Sequence, residues 1–561
     1  MNVFELNRQM LDDYSAYIRS FIRIQDPRIA NYVDNELKGG LLWPEPLIQM
    51  NPAFASGGWV DELVDQGILH QGCSKIFRAN KNEPDNEKAI KLYKHQVDAI
   101  HAAQAGDNYV LTTGTGSGKS LSYIVPIVDY VLKHGSGKGI RAIVVYPMNA
   151  LANSQYGELE KFLCHGFPDG KGPVTFQRYT GQENDNQRKQ IIANPPDILL
   201  TNYVMLELIL TRVGEKNLIE AAKGLKFLVL DELHTYRGRQ GADVAMLVRR
   251  IRNYCGSDAL QCIGTSATLA GEGGYEQQRN EVAQMATLLF GDQVKPERVI
   301  METLQRLTAE RDDGDPVFLA QLKDRVLNFA PDTKFTFEEI VNDPLASWIE
   351  STFGVETDPE SGRLRRAKPR SITGEEGAAR KLSQLTGVEE ERCIRVIQEA
   401  LLAGYQCRSP ITGFPAFAFR LHQFISRGDT VYASLEKEDK RYITAVNQRT
   451  VPDDRSKALL PLCFCRECGH EYYLVKRTRA EGVTCFTPRS LFESGADEDR
   501  GEPGFLYLNS DDPWPEDKEE LLDRIPEDWI EETRGSKKVK RDYREYLPES
   551  FILNNEGKQS P

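Results

Sequence analysis

The chain has 561 residues, of which 40% are hydrophobic and 27% are charged, a composition typical of a globular protein with about two to four domains. No apolar run approaches the roughly 20 residues of a membrane span, and the charged N-terminus lacks a signal-peptide pattern, so neither a membrane protein nor a secreted one is expected. The 10 cysteines are mostly scattered singly, which argues against a disulfide framework and favours a reducing compartment, the cytoplasm.

The net charge of −13 argues against a protein coated with basic residues. The charge is unevenly distributed, however, because residues 486–561 contain 11 Lys and Arg against 20 Asp and Glu. The rest of the chain is therefore close to neutral, which leaves room for a local groove that binds nucleic acid.

Residues 1–88 are predicted to form a helical accessory region. The segments LNRQMLDDYSAYIRSFI and RIANYVDNEL have helical spacing, and GGLLWPEPLIQMNP is a connector punctuated by prolines. The aromatic side chains of Trp43, Phe54 and Trp59 could stack on bases, but aromatics beside prolines more often seal a packing interface. The packing interpretation is the stronger one.

The stretch YVLTTGTGSGKSLSYIVP, residues 109–126, predicts a strand, a glycine-rich turn and an amphipathic helix. Backbone N–H groups in such a turn cradle phosphate at a helix N-terminus. Lys119 would reach the β- and γ-phosphates of ATP, and the Ser120 hydroxyl would be a Mg²⁺ ligand. The alternative, a flexible glycine loop, fits this context poorly. The predicted cofactor-binding residues of the turn are Thr113, Gly114, Thr115, Gly116, Ser117, Gly118, Lys119 and Ser120.

The segment LKFLVLDELHTY is an apolar strand that runs directly into two acids. Carboxylates at the end of a strand are costly to bury unless they serve a cation or a water. Asp231 is therefore predicted to hold Mg²⁺ and Glu232 to polarise the attacking water, and with Lys119 they form the predicted catalytic set. The alternative is a solvated helix N-terminus, where acids are also favoured. The phosphate-binding turn upstream favours the catalytic interpretation.

The segment LQCIGTSATLAG adds a buried strand that ends in short hydroxyl residues. Residues of this kind are ordinarily turn formers. Because they follow the acids in this order, we interpret His234, Ser266 and Thr268 as coupling the nucleotide site to a polymer site.

Other loops also follow predicted strands, and the carboxyl ends of parallel strands gather at one edge of a sheet, where ligands bind. These loops offer small polar side chains and backbone N–H groups rather than lysines, which suits phosphate contact without base readout. Each loop alone is ordinary, and their joint order carries the prediction. The predicted nucleic-acid contacts are Pro147, Met148, Asn149, Gln155, Thr180, Gly181, Thr201 and Asn202.

In chain order, TGTGSGKS, VVYPMNALANSQ, RYTGQ, DILLTNYVML, DELHTY and GTSATLA resemble the motifs of the first lobe of superfamily 2 helicases. LYKHQVDAI is similar to their adenine-recognising element, with Gln96 as the reader of the base edge. Thr113 stands where the P-loop consensus has glycine, a departure common among helicase-type motors. The string DELHTYRGRQGADVAMLVRRIRNYC is similar to DExH helicases related to the mitomycin-repair helicase, and to phage-defence helicases of the Druantia and DISARM systems.

This resemblance covers roughly residues 90–275 and implies a RecA-like α/β lobe with a parallel sheet, which we predict at residues 89–275. It also implies ATP hydrolysis and movement on DNA in the 3′ to 5′ direction, in phage defence or DNA repair. Two alternatives stay open: RNA as the substrate, and a non-catalytic adaptor gated by nucleotide. Only the string after the acids favours DNA over RNA.

Residues 276–455 are predicted to form a mostly helical insertion with some strands, for which a winged-helix-like DNA contact is the weaker alternative. Residues 456–561 are predicted to form a cysteine knuckle and an acidic connector. Cys465 and Cys468 have the spacing of a Zn²⁺ knuckle, but a second well-spaced pair is absent, so reduced structural thiols are the alternative.

No segment of residues 276–561 matches the Q-x-x-G-R-x-x-R pattern of a second RecA-like lobe, whose arginines would approach the γ-phosphate. We therefore expect that lobe to be supplied in cis, by a longer polypeptide of which this chain is the N-terminal part, or in trans, by another polypeptide. Subunits of a defence system are further candidate partners. Because such arginines contribute about 10³–10⁵-fold to related phosphoryl transfers, the chain alone is expected to bind ATP but hydrolyse it slowly.

Overall fold

The computed structural model describes residues 2–21, 23–82, 87–114, 116–256, 259–267, 274–359, 361–410, 412–426, 430–480, 482–490, 501–509, 513–533 and 535–560. Two compact units make up the chain. One comprises residues 49–370 and 378–420, and the other comprises residues 1–48, 371–377 and 421–561.

The unit of residues 49–370 and 378–420 is built on a seven-stranded sheet in which every pairing is parallel. The strands in chain order are β1 Tyr109–Thr112, β2 Ala142–Tyr146, β3 Phe176–Tyr179, β4 Ile198–Asn202, β5 Phe227–Leu230, β6 Gln261–Ser266 and β7 Val299–Met301. Their order across the sheet is β7-β1-β6-β5-β2-β4-β3. The prediction of a RecA-like lobe with a parallel sheet is confirmed.

Helices cover both faces of this sheet, which explains why its central strands β2 and β5 are apolar along their whole length rather than alternating. The helices in chain order are α1 Lys94–Ala105, α2 Leu121–His134, α3 Asn149–Leu163, α4 Asp185–Ala193, α5 Tyr203–Thr211, α6 Lys216–Ala221, α7 Gly238–Cys255 and α8 Tyr275–Phe290. Helices α1 to α3 pack on the face that includes Val144 and Leu200. Helices α5 to α8 pack on the face that includes Val145 and Leu228.

Local sequence sets where several of these helices begin and end. Asn184 caps α4 by accepting a hydrogen bond from the backbone N–H of Gln187, and Asn202 caps α5 by accepting one from Met205. Helix α1 ends at Gly106, whose φ of +78° is a left-handed conformation that glycine adopts without a steric penalty. The loops that follow β3 and β4 at the carboxyl edge therefore run into helices that begin at defined residues.

Shorter elements flank the lobe within the same unit. Before α1, strands lie at Ala53–Phe54, Ser56–Trp59, Arg78–Ala79, Lys88–Ala89 and Lys91–Tyr93, and helices at Val60–Asp65 and Cys73–Ile76. After β7, helices lie at Pro316–Asn328, Phe337–Asn342, Pro344–Ile349, Ala378–Thr386 and Glu390–Gln406. Strands Val355–Thr357 and Leu364–Arg366 form an antiparallel hairpin. The predicted boundaries at residues 88, 275 and 455 stay predictions, and the sheet itself extends to Met301.

The other unit contains helices Val3–Phe21 and Pro27–Lys38 and an antiparallel sheet. The strands of that sheet are Tyr432–Ser434, Ile443–Thr444, Thr450–Val451, Asp454–Phe464, Glu471–Ala480, Val483–Pro488 and Glu502–Leu506. Its core includes Ile29, Leu460 and Tyr473. Among the described residues, no helix is both long enough and apolar enough to cross a membrane.

Candidate nucleotide and nucleic-acid site

The predicted phosphate-binding turn, residues 113–120, connects β1 to α2 at the carboxyl edge of the sheet. The hydroxyl groups of Thr113 and Ser117 share a hydrogen bond of 2.6 Å across the turn, and both side chains are buried. Gly116 and Gly118 have φ values of +82° and +68°, which residues with a Cβ rarely adopt. The turn is thus tightly curled directly before a helix N-terminus, as a phosphate cradle requires.

Two side chains from α1 donate hydrogen bonds to backbone carbonyls of the turn. The His95 Nε2–H donates to the Ser117 carbonyl at 2.9 Å, and burial lowers the pKa of His95. Gln96 donates to the Gly118 carbonyl at 2.8 Å and accepts from the Tyr93 N–H at 2.8 Å. The structure therefore places Gln96 against the turn, and its predicted contact with a base edge stays a prediction.

The two predicted acids follow β5, and a threonine on β6 holds both of them. Thr265 donates its hydroxyl hydrogen to Asp231 Oδ1, while the backbone N–H of Glu232 donates to the Thr265 hydroxyl at 3.2 Å. Glu232 has φ +54° and ψ +57°, a left-handed backbone that costs a non-glycine residue free energy. Thr265 was missed by the sequence reasoning because it lies inside a strand rather than at its end.

The electrostatic surroundings of the two acids differ, and their predicted roles stay predictions. Burial and the neighbouring charge of Glu232 raise the pKa of Asp231, while Thr265 and the ammonium of Lys119 oppose the rise. Glu232 Oε2 is buried without a hydrogen bond, and His234 Nδ1 lies 3.3 Å from it. The same ring nitrogen lies 3.4 Å from the Ser266 hydroxyl, so the contacts of His234 link the end of β5 to the end of β6.

The residues predicted to hold Mg²⁺ fit that ion by their chemistry. Asp231 has one carboxylate oxygen held by Thr265, which orients the group and leaves the other oxygen outside that bond. Ser120 occupies the N-cap of α2, where its hydroxyl makes no capping hydrogen bond. Carboxylate and hydroxyl oxygens are hard ligands of the kind that Mg²⁺ prefers.

The other half of the carboxyl edge, at the ends of β2, β3 and β4, holds the predicted nucleic-acid contacts. Asn202 donates to the Asn149 side chain at 2.7 Å and to the Thr180 carbonyl at 3.1 Å. Its own carbonyl oxygen accepts from the Met205 N–H at 2.8 Å. One amide thereby ties together loops that are far apart in the sequence.

A buried glutamate organises the loop after β3. Glu183 accepts hydrogen bonds from the backbone N–H groups of Thr180 and Gly181 at 2.8 and 2.9 Å, and from Arg178 Nε at 3.0 Å. Although burial opposes its ionisation, these hydrogen bonds lower the pKa of the Glu183 carboxyl. The sequence reasoning did not single out Glu183, although its position two residues after Gly181 was a usable signal.

The remaining predicted contacts differ in exposure. Met148 is 59% exposed and Pro147 is half-buried beside it. Thr201 is fully buried, and its hydroxyl donates to the Tyr179 carbonyl at 2.7 Å. Gln155 lies on α3 with a buried carbonyl oxygen that has no hydrogen bond. Met148 is therefore open to a polymer at this edge, whereas Thr201 is covered by its neighbours and its predicted contact stays a prediction.

Two predicted residues lie outside the described part of the chain, the turn residue Thr115 and the coupling residue Thr268. The predicted zinc residues belong to the other unit, in the turn between strands Asp454–Phe464 and Glu471–Ala480. The backbone N–H groups of Cys468 and Glu467 lower the pKa of the Cys465 thiol. Within the described residues, no three His, Cys, Asp or Glu side chains gather as a metal-binding group, so the zinc site stays a prediction.

An ion pair beside the turn was also missed by the sequence reasoning. Glu302, directly after β7, accepts a hydrogen bond from the backbone N–H of Gly114 at 2.9 Å. Arg366 donates two hydrogen bonds to the Glu302 carboxylate, at 2.6 and 3.0 Å. The sequence carried no signal for this pair, because Glu302 and Arg366 are 64 positions apart and meet only in the folded chain.

The family model for the DEAD/DEAH box helicase matches residues 93–273, from the residue before α1 to beyond the end of β6. The chain carries a DEAD/DEAH box helicase domain. The resemblance inferred from the motifs is thereby confirmed, and the matched range contains the turn, both acids and the loops of the second half of the edge.

Several curated relatives are similar to part of the chain. The uncharacterized ATP-dependent helicase YprA of Bacillus subtilis is 34% identical over 183 residues, which cover 32% of this chain and 23% of YprA. The ATP-dependent helicase HRQ1 of Saccharomyces cerevisiae is 33% identical over 208 residues, 36% of this chain and 18% of HRQ1. The Druantia protein DruE of Escherichia coli is 27% identical over 340 residues, 40% of this chain and 18% of DruE. The chain thus spans less than a quarter of each of these relatives.

Among solved structures, the DUF1998 helicase MrfA bound to DNA is similar at 22% identity and a TM-score of 0.35. The match covers 52% of this chain and 36% of the MrfA chain.

Proposed function

We propose that the lobe binds Mg²⁺–ATP and hydrolyses it, and that the chain is part of a cytoplasmic ATP-dependent DNA helicase or translocase. The observation that carries the proposal is the arrangement at the ends of β1, β6 and β5, which are neighbours in the sheet. There the curled glycine turn lies near Asp231, whose pKa is raised by burial, and Glu232, which has a buried oxygen without a hydrogen bond.

Each residue has a distinct role in this proposal. Lys119 and the N–H groups of the turn hold the β- and γ-phosphates, and Ser120 and Asp231 hold the metal ion. Mg²⁺, when bound, neutralises charge on the phosphates. Glu232 orients and polarises the attacking water through the oxygen that lacks a hydrogen bond. His234, between Glu232 and Ser266, relays the state of this site to the end of β6.

We propose single-stranded or forked DNA as the polymer, tracked in the 3′ to 5′ direction along the ends of β2, β3 and β4. The loops there are held in a fixed shape by the hydrogen bonds of Asn202 and Glu183, which suits contact with a phosphate backbone without base readout. Two bacterial relatives, each named as both an Lhr helicase and a uracil glycosylase, favour DNA as the substrate. The similarity to the ATP-dependent RNA helicase DBP9 favours RNA instead. The match to a Druantia protein favours phage defence over general repair.

The proposal includes a second RecA-like lobe, supplied in cis or in trans, and partner subunits of a defence system. The charge that develops on the transferred phosphoryl group needs cationic donors facing the turn. Steady-state ATPase of this chain should therefore rise when a polypeptide carrying that lobe is added or fused. Equal turnover with and without it would contradict this part of the proposal.

The central test is titration of the 561-residue chain with ATP in the presence and absence of Mg²⁺, followed by fluorescence anisotropy with labelled single-stranded DNA and RNA of equal length. We expect Mg²⁺-dependent ATP binding and tighter binding of DNA than of RNA, weakening steeply with salt. Absence of ATP binding would refute the nucleotide site. Tighter binding of RNA would favour an RNA helicase, and ATP binding without binding of either polymer would favour the adaptor.

A further inference from the structure

The carboxylate of Glu302 sits at the rim of the phosphate-binding turn. Strand β7 is the sheet neighbour of β1, so the residue after β7 emerges beside the residue after β1. Glu302 uses this position to accept the backbone N–H of Gly114 at 2.9 Å. An anionic oxygen therefore occupies an N–H group of a turn whose geometry suits anions.

A guanidinium covers the same spot. Arg366, at the end of the hairpin strand Leu364–Arg366, pairs with Glu302 through Nε and Nη2, and the two side chains are only 15% and 10% exposed. A Cβ built on Gly114 would lie 2.5 Å from Arg366 Cζ, so the guanidinium rests directly on the glycine backbone. The pair leaves the Nη1 group outside the two hydrogen bonds to Glu302.

A second guanidinium is also close to the turn. Arg420 Nη2 lies 3.9 Å from the position that a Cβ on Gly116 would take. Positive charge from the part of the chain after β7 thus approaches the turn at two of its glycines. Such charge is what a bound polyphosphate requires beyond the single ammonium of Lys119.

We propose that Arg366 binds the phosphate chain of the nucleotide, and that the Glu302 carboxylate holds the guanidinium on the turn and competes with phosphate for it. This inference rests on the proposed binding of ATP to the turn. Arginine suits the role because its planar fork can retain one carboxylate contact while it gains a phosphate contact. The extra negative charge of Glu302 opposes an incoming phosphate, so nucleotide binding must weaken the Glu302–Arg366 pair.

A purely architectural ion pair predicts different behaviour. Buried pairs add little net stability, but removal of one partner leaves an uncompensated charge and destabilises the fold. In that case Arg366→Ala and Glu302→Gln would both lower the melting temperature, and neither would change the preference for ATP over ADP. Our proposal predicts that the two variants change ATP affinity in opposite directions.

The experiment measures the Kd of Mg²⁺–ATP and Mg²⁺–ADP by titration calorimetry for the 561-residue chain and its variants, with melting temperatures recorded alongside. We expect Arg366→Ala to weaken ATP binding about tenfold, the loss typical of one charge-assisted hydrogen bond, and to weaken ADP binding less. Arg366→Lys should recover part of the loss because it retains the charge. Glu302→Gln should bind ATP more tightly than the parent because it keeps the hydrogen-bonding shape without the charge.

Arg365→Ala is the matched control, because Arg365 is the adjacent arginine of the same strand. Its side chain is 56% exposed and pairs with Glu356 and Asp358. We expect parental affinities for this variant. If the parent binds ATP and Arg366→Ala binds it equally well, or if Glu302→Gln also weakens binding, the inference is wrong while the proposed function stands. If the parent itself fails to bind ATP, the proposed function fails first.

Discussion

The two halves of the carboxyl edge of the lobe differ in backbone strain and in how completely their buried polar groups are hydrogen-bonded. In the half formed by β1, β6 and β5, Glu232 has a left-handed backbone and a buried oxygen without a hydrogen bond, and burial raises the pKa of Asp231. In the half formed by β2, β4 and β3, the Asn202 amide makes three hydrogen bonds, and Glu183 accepts bonds from two backbone N–H groups and an arginine.

This difference separates a reaction site from a contact surface. Strain and unsatisfied buried groups are costly, so they persist where a ligand or a reaction compensates for them. A surface along which a polymer moves needs a fixed shape instead, and saturated hydrogen-bond networks supply it. Variants in the first half should therefore impair chemistry with little loss of stability, whereas variants in the second half should also destabilise the lobe.

The largest effect is expected for Glu232→Gln. The amide keeps the size of the side chain but cannot polarise water, so ATP turnover should fall by about 10²–10⁴-fold while Mg²⁺–ATP binding persists. The measurement is steady-state ATPase at saturating single-stranded DNA, with the second lobe supplied. Glu207→Gln, at an exposed glutamate on α5, is the control and should retain parental turnover. Undiminished turnover in Glu232→Gln would assign the role to another residue.

Lys119→Ala should weaken ATP binding by about a hundredfold, because it removes a charge-assisted contact with the phosphates. Titration calorimetry measures the affinity, and circular dichroism checks that the lobe stays folded. The control is Lys138→Ala, which removes an exposed lysine that bonds only to the carbonyl of His134 among the described contacts. Equal ATP affinity in Lys119→Ala and the parent would refute the phosphate-cradle assignment.

Asn202→Ala, in the half formed by β2, β4 and β3, should lower both the stability of the lobe and its affinity for DNA. Loss of the α5 cap should lower the free energy of unfolding by about 1 kcal/mol, measured by urea denaturation. Loss of the bonds to Asn149 and Thr180 should also weaken DNA binding, with ATP affinity unchanged. Asn184→Ala removes the comparable cap of α4 and should cost similar stability without the loss of DNA binding. A parallel loss of DNA binding in both variants would attribute the effect to stability alone.

The smallest effect is expected from the titration of Asp231. Because its pKa is raised in the folded state, ionisation of this carboxyl costs stability once the pH exceeds that pKa, and the cost disappears as the pH falls through it. Asp231→Asn should therefore melt at a higher temperature than the parent near pH 8, and the difference should shrink as the pH falls towards the ordinary pKa of an aspartate carboxyl. Asp243→Asn, at an exposed position on α7, is the control for differential scanning fluorimetry. A difference that grows towards acid pH would contradict the raised pKa.

The contiguous motifs could be predicted from the sequence because their geometry is local. A strand, a glycine turn and a helix in succession leave few conformations for residues 113–120. The alternation of apolar strands with amphipathic helices likewise predicts a parallel sheet, and a parallel sheet brings Lys119, Asp231 and Asn202 to one edge. The fold class and the placement of these candidate residues at one edge of the sheet were therefore within reach of the sequence.

The partners of those residues were decided by the tertiary structure. Thr265 meets Asp231 from 34 positions away, and Arg366 meets Glu302 from 64 positions away. Neither residue carries a signal of its own, since a threonine in a strand and an arginine in a hairpin are ordinary. Hydrogen bonds form only over about 3 Å. The strand order and the paths of the loops therefore decide which side chains come close enough to bond to the residues of a motif, and the local sequence pattern does not.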